Sequence, residues 1–306
     1  MMPLFVRALS NTAIVLPNGY IQLNFNPEKE EGRAQPLFAM PMALTNFGYH
    51  QFTSKTTEGL IDMCGRYVLE GPVSRYQQHF NAALKDNFSE FSAGRFNIAP
   101  TMQIPVVRIN REGDRVLTPH RWGLIPSWAK DGSIGAKLNN ARGETVHEKP
   151  SFRTAFKRFR CLIPASGYYE WQAPPEGSKA RKQPFYISPT NAPFFAMAGI
   201  CDHWTDITTG ELIMSAAIIT TTPSSALAHI HDRMPVMISS ENWEQWLDPK
   251  NQNIEALRGR IQSAKDVQAW PVSLAVSGAG KNREDSSKLI VPVENQKQGK
   301  PPANPC

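Results

Sequence analysis

The chain has 306 residues, 41% of them hydrophobic and 20% charged, which fits a globular protein with a core and not a disordered or fibrous chain. The formal net charge of +6 and a sequence pI near 9.1 permit an anionic partner such as nucleic acid without requiring one. No apolar run approaches the roughly 20 residues of a membrane span.

Residues 1–62 differ from the rest of the chain: apolar stretches such as Phe38-Ala39-Met40-Pro41-Met42 lack helix or strand spacing. Arg7 interrupts the apolar start and Pro17-Asn18-Gly19 ends the next short run, so neither a signal nor a transit peptide is read there. From Met63 onward strand and turn signals are dense and unbroken by any linker. The pattern predicts a helix near 73–85, strands near 104–109 and 115–122, and a long loop over 123–138. A helix near 149–158 follows, then strands near 160–164, 167–172, 184–188, 194–200 and 213–220. A short helix over 223–229, a strand near 234–238, helices over 240–247 and 251–263, and a strand near 267–272 complete the series. Many neighbouring strands with few helices predict an α+β domain, a distorted and largely antiparallel barrel or sheet with peripheral helices. The tail 294–306 reads as disordered. The cysteines Cys64, Cys161, Cys201 and Cys306 are scattered with no CxxC pair, so reduced thiols and a cytoplasmic location are expected.

The first chemical signal is Met63-Cys64-Gly65-Arg66-Tyr67. If translation starts at Met63, methionine removal leaves Cys64 with a free α-amine beside its thiol. Such an amine titrates near ~7.7–8, so a useful fraction is neutral at pH 7. A 1,2-aminothiol condenses with an aldehyde through an imine and closes to a thiazolidine; a ring-opened abasic deoxyribose supplies that aldehyde. Arg66 would favour the thiolate or contact a phosphate. A buried structural cysteine fits the same pentapeptide.

Three more segments carry polar chemistry. In Asn139-Asn140-Ala141-Arg142-Gly143-Glu144, Asn140 can donate and accept while Arg142 offers a planar fork for a phosphate; a helix cap with a surface ion pair is the plainer reading. In Gly167-Tyr168-Tyr169-Glu170-Trp171, a strand puts 168, 170 and 172 on one face and 169 and 171 on the other, leaving Glu170 partly buried and suited to proton transfer. In His229-Ile230-His231-Asp232-Arg233, His231 can exchange a proton near pH 7, with Asp232 or Arg233 orienting it or pairing elsewhere. His229 and His231 alone do not make a zinc site, which needs a third protein ligand, so no metal is assigned.

Two segments suit a nucleic-acid surface. Trp122 and Trp128 lie in a loop rich in glycine and proline, where they would stack on bases or plug the core. Along 149–160, Phe152, Phe156 and Phe159 form an expected inward stripe, and Arg153, Lys157 and Arg160 an expected basic face. Arg95, Lys179, Arg181 and Lys182 add positive charge nearby in sequence.

Taken in order, these segments resemble the SRAP family, the SOS-response-associated peptidases or abasic-site-processing proteins. The resemblance runs from Met63 to about Val293 through Met-Cys-Gly-Arg at 63–66, Phe-Asn-Ile-Ala-Pro-Thr at 96–101 and Trp-Gly-Leu-Ile-Pro-Ser-Trp at 122–128. It continues with Asn-Ala-Arg-Gly-Glu-Thr at 140–145, Gly-Tyr-Tyr-Glu-Trp at 167–171 and Ile-His-Asp-Arg-Met-Pro-Val at 230–236. It implies one α+β domain around a distorted barrel with a basic cleft for single-stranded DNA, and no cofactor; apart from the resemblance, a monomer that enters no membrane is expected. It also implies that Cys64 crosslinks to the abasic site, that Asn140 holds the opened sugar and that Glu170 and His231 handle protons. Arg66 and Arg142 would meet phosphates, and a peptidase activity would expose the cysteine. The chain departs from the family in one respect: 62 residues precede Met63, where members carry the cysteine at position two. With that leader attached the Cys64 nitrogen is an amide and forms no imine, so residues 1–62 are expected to be a non-native start or to be removed. The competing functions are a cysteine peptidase acting on other proteins through Cys64 and His231, a non-catalytic single-strand binder, and a metal hydrolase using His229 and His231.

Overall fold

The computed structural model of the protein describes residues 5–8, 11–15, 21–24, 65–86 and 88–293. The chain divides into two compact units, Met1–Lys55 and Thr56–Cys306. In the first, β1 (Phe5–Ala8), β2 (Asn11–Val15) and β3 (Ile21–Asn24) pair antiparallel in that order. These three strands were not expected in residues 1–62. The β-branched run Thr12, Ile14 and Val15 explains β2 locally.

The second unit is built from two sheets. Their strands are, in chain order, β4 (Arg66–Glu70), β5 (Ala83–Leu84), β6 (Gly94–Ile98), β7 (Gln103–Ile109), β8 (Arg115–Trp122), β9 (Asn140–Arg142) and β10 (Arg160–Ala165). They continue with β11 (Gly167–Gln172), β12 (Gln183–Pro189), β13 (Phe195–Thr205), β14 (Leu212–Thr221), β15 (Met234–Pro235) and β16 (Val267–Pro271). Five of them close a barrel. β14, β13, β10, β7 and β8 pair antiparallel in succession, and β8 returns to β14 through the parallel contacts Ser215↔Arg121 and Ala216↔Trp122. The expected barrel is therefore present, with one parallel seam. Val107, Leu117, Leu162, Ile200 and Ala217, one from each barrel strand, are wholly buried. Burial of each of the four larger side chains is worth about 1.5–3 kcal/mol, so closing the ring concentrates apolar burial in one place.

The other sheet is open and antiparallel, in the order β16-β12-β11-β4-β6. Tyr67 on β4 meets Trp122 on β8 edge to face, ring centroids 5.4 Å apart, which joins this sheet to the barrel. Gly123 lets the chain leave the barrel at that point: its φ is +127°, and a Cβ there would sit 2.3 Å from the Gly135 carbonyl oxygen.

The helices are shorter than their periodicity suggests. They are α1 (Val73–His79), α2 (Arg153–Arg158), α3 (Trp243–Leu247) and α4 (Ile254–Arg258). After α1 the left-handed Asn81, φ 45°, turns the chain; before α4 the Asn253 side chain caps the Ala256 N–H at 3.1 Å. The helix expected over 223–229 is absent, and single turns closed on the Ser224 and Leu227 carbonyls take its place. The strand expected over 234–238 is reduced to β15 and one bridge, Met197↔Met237. Strands β4, β5, β6 and β9 were not anticipated, and β5 falls within the helix expected near 73–85.

Candidate active site

Strand β11 sets the site. Tyr168, Glu170 and Gln172 share one of its faces, and Tyr169 and Trp171 the other. Those two aromatics are anchored away from Glu170: the Tyr169 hydroxyl donates to the Phe96 carbonyl at 2.8 Å and Trp171 Nε1 to Ser277 Oγ at 2.9 Å. The opposite face meets the 229–231 turn. Gln172 Nε2 donates to the His229 carbonyl at 3.0 Å, and His231 Nε2 lies 3.9 Å from Glu170 Oε2. That is ion-pair range and too long for a direct hydrogen bond, and it lets both groups contact one reacting atom lying beside the line that joins them. Glu170 is only 2% exposed.

His231 Nδ1 has two neighbours. The Arg233 backbone N–H donates to it at 3.1 Å, and Asp232 Oδ1 also lies at 3.1 Å. An N–H can only meet an unprotonated nitrogen, so in the neutral ring the proton sits on Nε2 and points at Glu170. The Asp232 contact becomes a hydrogen bond only in the charged ring. Because Asp232 is exposed, that contact is weak and the backbone donor sets the tautomer.

The far end of β14 carries the other half. Strand β9 runs parallel to it, Ile218↔Asn140 and Thr220↔Arg142, so Asn140 is buried and Arg142 exposed at the strand end. Trp122, wholly buried, donates from Nε1 to the Asn139 carbonyl at 2.9 Å and fixes the residue before Asn140. The Thr220 carbonyl accepts from the Gly143 N–H at 2.8 Å and from Arg233 Nη2 at 2.7 Å. The buried Arg233 also clamps Glu144 with both nitrogens, at 2.7 and 2.9 Å. This one guanidinium thus ties the 140–145 segment, the end of β14 and the His231 turn together. Its hydrogen bonds hold Glu144 below the usual carboxylate range, against partial burial.

Arg66 stands opposite Tyr169 in the β4–β11 ladder, and its guanidinium faces protein. Nη1 donates to Asn97 Oδ1 at 2.7 Å, to the Val276 carbonyl at 3.1 Å and to the Gly278 carbonyl at 3.3 Å; Nη2 also reaches Gly278. Burial, and then the charge of Arg283, pull its pKa below the ordinary value. Cys64, bonded to Gly65, lies outside the described residues, as do the tail 294–306 and Cys306.

The two tryptophans of the 122–128 loop divide. Trp122 is a core plug and Trp128 is 59% exposed. The Ser127 N–H beside Trp128 is held by Asp202 Oδ2 at 3.0 Å. Asp202 lies three residues along β13 from Gly199, which is level with Ile218 and so with Asn140. At about 3.3 Å per residue, the anchor of Ser127 lies some 10 Å along β13 from the level of Asn140.

The basic face of 149–160 needs correction. Arg153 and Lys157 are exposed. Arg160 is buried and belongs to β10, where it donates to the carbonyls of Phe156, Lys157, Trp246, Asp248 and Asn251. Burial pulls its pKa down to about 10. The inward phenylalanine stripe survives only in part: Phe156 is wholly buried, whereas Phe159, beyond the end of α2, is 39% exposed. Arg95 is paired with Asp285 at 2.6 Å. Lys179, Arg181 and Lys182 are exposed. Among the described residues no three His, Cys, Asp or Glu side chains form a group able to hold a metal ion; His229 instead meets Phe185 edge to face at 6.2 Å. Cys161 and Cys201 are buried free thiols in the barrel wall.

A family model described as SOS response associated peptidase (SRAP) matches residues 63–279. The chain belongs to the SRAP family. Abasic site processing protein YoqW of Bacillus subtilis is 38% identical over 225 residues, covering 72% of this chain and 96% of YoqW. Abasic site processing protein HMCES of Xenopus tropicalis is 30% identical over 244 residues, covering 70% and 71%. The solved structure of a phage-related protein from Bordetella bronchiseptica superposes with a TM-score of 0.52 at 26% identity, over 68% of this chain and 94% of that one. A Bacteroides thetaiotaomicron protein gives 0.64 at 24% identity, over 76% and 100%, a likeness of fold.

Every candidate residue of the SRAP domain lies inside the matched stretch: Cys64, Arg66, Trp128, Asn140, Arg142, Glu170 and His231. Arg233, expected to orient His231 or to pair elsewhere, does both, through its backbone N–H and through Glu144. Three further residues that hold the site were not assigned a role from the sequence, and Glu144 is the first, its opposite charge to Arg233 being its only signal. Gln172 was placed on the correct face without a partner. Asn97 and its acceptors 180 or so residues on carry no local signal at all.

Proposed function

We propose that this SRAP protein processes abasic sites in single-stranded DNA by forming a thiazolidine between Cys64 and the ring-opened sugar. The reading rests on one observation above all. A buried carboxyl, Glu170, is faced across 3.9 Å by an imidazole whose tautomer directs Nε2 at it. The curated relatives named above act, by name, on abasic sites, which supplies the substrate.

In the proposed chemistry the α-amine of Cys64 adds to the C1′ aldehyde, and the carbinolamine loses water to give an imine. The thiol then adds to the imine carbon and closes the five-membered ring. The balance is one aldehyde and one aminothiol giving one thiazolidine and one water. Departure of that water needs a proton donor at the carbinolamine oxygen, and the attacking nitrogen must lose a proton. Glu170 and His231 take these roles, Asn140 holds the opened sugar, and Arg142 and Trp128 bind the strand on either side. The reactive chain begins at Cys64, and the family's peptidase activity is assigned to removal of whatever precedes it.

The test is to incubate protein beginning at Cys64 with single-stranded DNA carrying one abasic site and denature the mixture. A heat-stable adduct that disappears with Cys64→Ser supports the reading. An adduct unaffected by Cys64→Ser contradicts it, and an absence of any adduct leaves a non-covalent binder in its place.

A further inference from the structure

We propose that Asp285 is a positioning residue for the proposed nucleophile, fixing the first residues of β4 through Asn97 and Arg66. The proposal rests on the function read above and concerns a residue beyond the stretch, 63–279, that the family model matches.

The starting observation is an irregularity. Strands β4 and β6 pair at Tyr67↔Ile98 and Leu69↔Arg95, with a register shift between Tyr67 and Leu69. Such a bulge breaks the ladder and leaves backbone amides without strand partners. Strand β6 is also an edge strand. Two consecutive amides of β6 are taken by a single oxygen from far along the chain. Asp285 Oδ1 accepts from the Phe96 N–H at 2.5 Å and from the Asn97 N–H at 2.9 Å. Its other oxygen, Oδ2, accepts from Arg95 Nε at 2.6 Å.

Asn97 passes the restraint on. It is wholly buried. Its Nδ2 donates to the carbonyls of Glu284 and Val276, at 2.8 and 3.3 Å, which fixes the amide's orientation. Its Oδ1 accepts from Arg66 Nη1 at 2.7 Å. Arg66 is completed by the Val276 and Gly278 carbonyls of the same C-terminal segment. That segment therefore straps the start of β4 through two layers of hydrogen bonds. Gly65 is bonded to Cys64, so whatever fixes Gly65 and Arg66 restricts the reach of the amine and thiol. Misplacing a reacting group by about 1 Å costs on the order of 10²-fold in rate.

The two oxygens of Asp285 make the test specific. Asp285→Asn keeps an acceptor for the two amides and loses the pairing of Oδ2 with Arg95. Asp285→Ala loses both. Crosslinking is measured at saturating abasic single-stranded DNA, with affinity measured separately on a strand carrying an unreactive tetrahydrofuran analogue. Asp285→Ala should crosslink about 10- to 100-fold more slowly with affinity nearly unchanged, while Asp285→Asn and Arg95→Ala stay within about 3-fold of wild type. A wild-type rate in Asp285→Ala overturns the proposal. So does an equal loss in Asp285→Asn, which would assign the effect to charge, or a loss confined to affinity.

Amide hydrogen exchange without DNA reads the tether by itself. Phe96, Asn97 and Arg66 should exchange faster in Asp285→Ala than in Asp285→Asn, at matched global stability. Unchanged exchange overturns the tether even if crosslinking fails for every variant, wild type included; a failure of wild type alone would instead strike the proposed function.

Discussion

The barrel and the open sheet solve the same problem differently. In the barrel the parallel contact of β8 with β14 closes the ring, so all five strands are paired on both sides and most of the buried side chains are apolar. The open sheet keeps an edge at β6 and covers it with polar contacts from the C-terminal segment, through Asp285, Glu284, Val276 and Gly278. Glu170 of the sheet and Asn140, Arg142 and His231 of the barrel rim stand where the two meet. Closure by apolar area makes a rigid scaffold tolerant of local loss, whereas directional tethers make geometry that one substitution can shift. The barrel should therefore answer mutation with stability, and the seam with rate.

The largest contrast is expected at Glu170. Glu170→Gln keeps the shape and removes the proton function, so crosslinking should slow by about 10²–10⁴ while DNA affinity and melting stay close to wild type. Stopped or quenched time courses check the rate. Wild-type kinetics in this variant would remove Glu170 from the mechanism. The counterpart on the barrel side is Trp246 of α3, packed on β10: it is wholly buried, edge to face with Phe156 at 6.1 Å, and donates from Nε1 to the Cys161 carbonyl at 2.9 Å. Trp246→Ala should lower unfolding free energy by about 3–5 kcal/mol in denaturant titration. The surviving folded fraction should crosslink at the wild-type rate.

A smaller effect should separate the two tryptophans of one loop. Trp128→Ala removes an exposed ring and should weaken binding to single strands by about 1–3 kcal/mol, more than it weakens binding to duplex, without changing stability. Binding that is blind to this substitution and to salt would sever the loop from the DNA surface. The smallest effect belongs to the Arg233–Glu144 clamp. The folded pKa of Glu144 is lowered from 4.5, chiefly by the Arg233 hydrogen bonds. Its stabilisation is thus present above that ordinary value and is lost as pH falls through the lowered one. Because Glu144 is about half exposed, solvent screening keeps the contribution under about 1 kcal/mol. Denaturation curves of wild type and Glu144→Gln should converge as the pH is brought down through this range, and parallel curves would assign the clamp no electrostatic part.

The same contrast separates what was legible in the sequence from what was not. Barrel strands such as β7, β8, β10 and β14 carry their periodicity in continuous runs and were placed to within about one residue. Strands β4, β6 and β9 are short, polar or bulged, and take their conformation from partners elsewhere in the chain, so local pattern did not reveal them. Glu170 stood out because an acid among aromatics on a strand face is unusual, and His231 because an imidazole can exchange a proton near neutral pH. Arg160 misled for a physical reason. Spacing along a helix cannot tell an exposed cation from one that ends the helix and is buried on five carbonyls. Asp285 had no signal, because its partners lie some 190 residues away.

The central claim is that the nitrogen and sulfur of one residue carry the reaction, and it is tested by where the polypeptide begins. Two forms should be compared on the same abasic single strand, one beginning at Cys64 and one retaining residues 1–62 with a blocked Met63–Cys64 bond. Intact mass after denaturation reads the products. The account predicts that the first form gives an adduct equal to protein plus DNA less one water, and that the second binds DNA but forms no heat-stable adduct. An adduct of the same yield from the form that keeps its leader would contradict the α-amine mechanism and point to a lysine imine, to be trapped with borohydride and mapped.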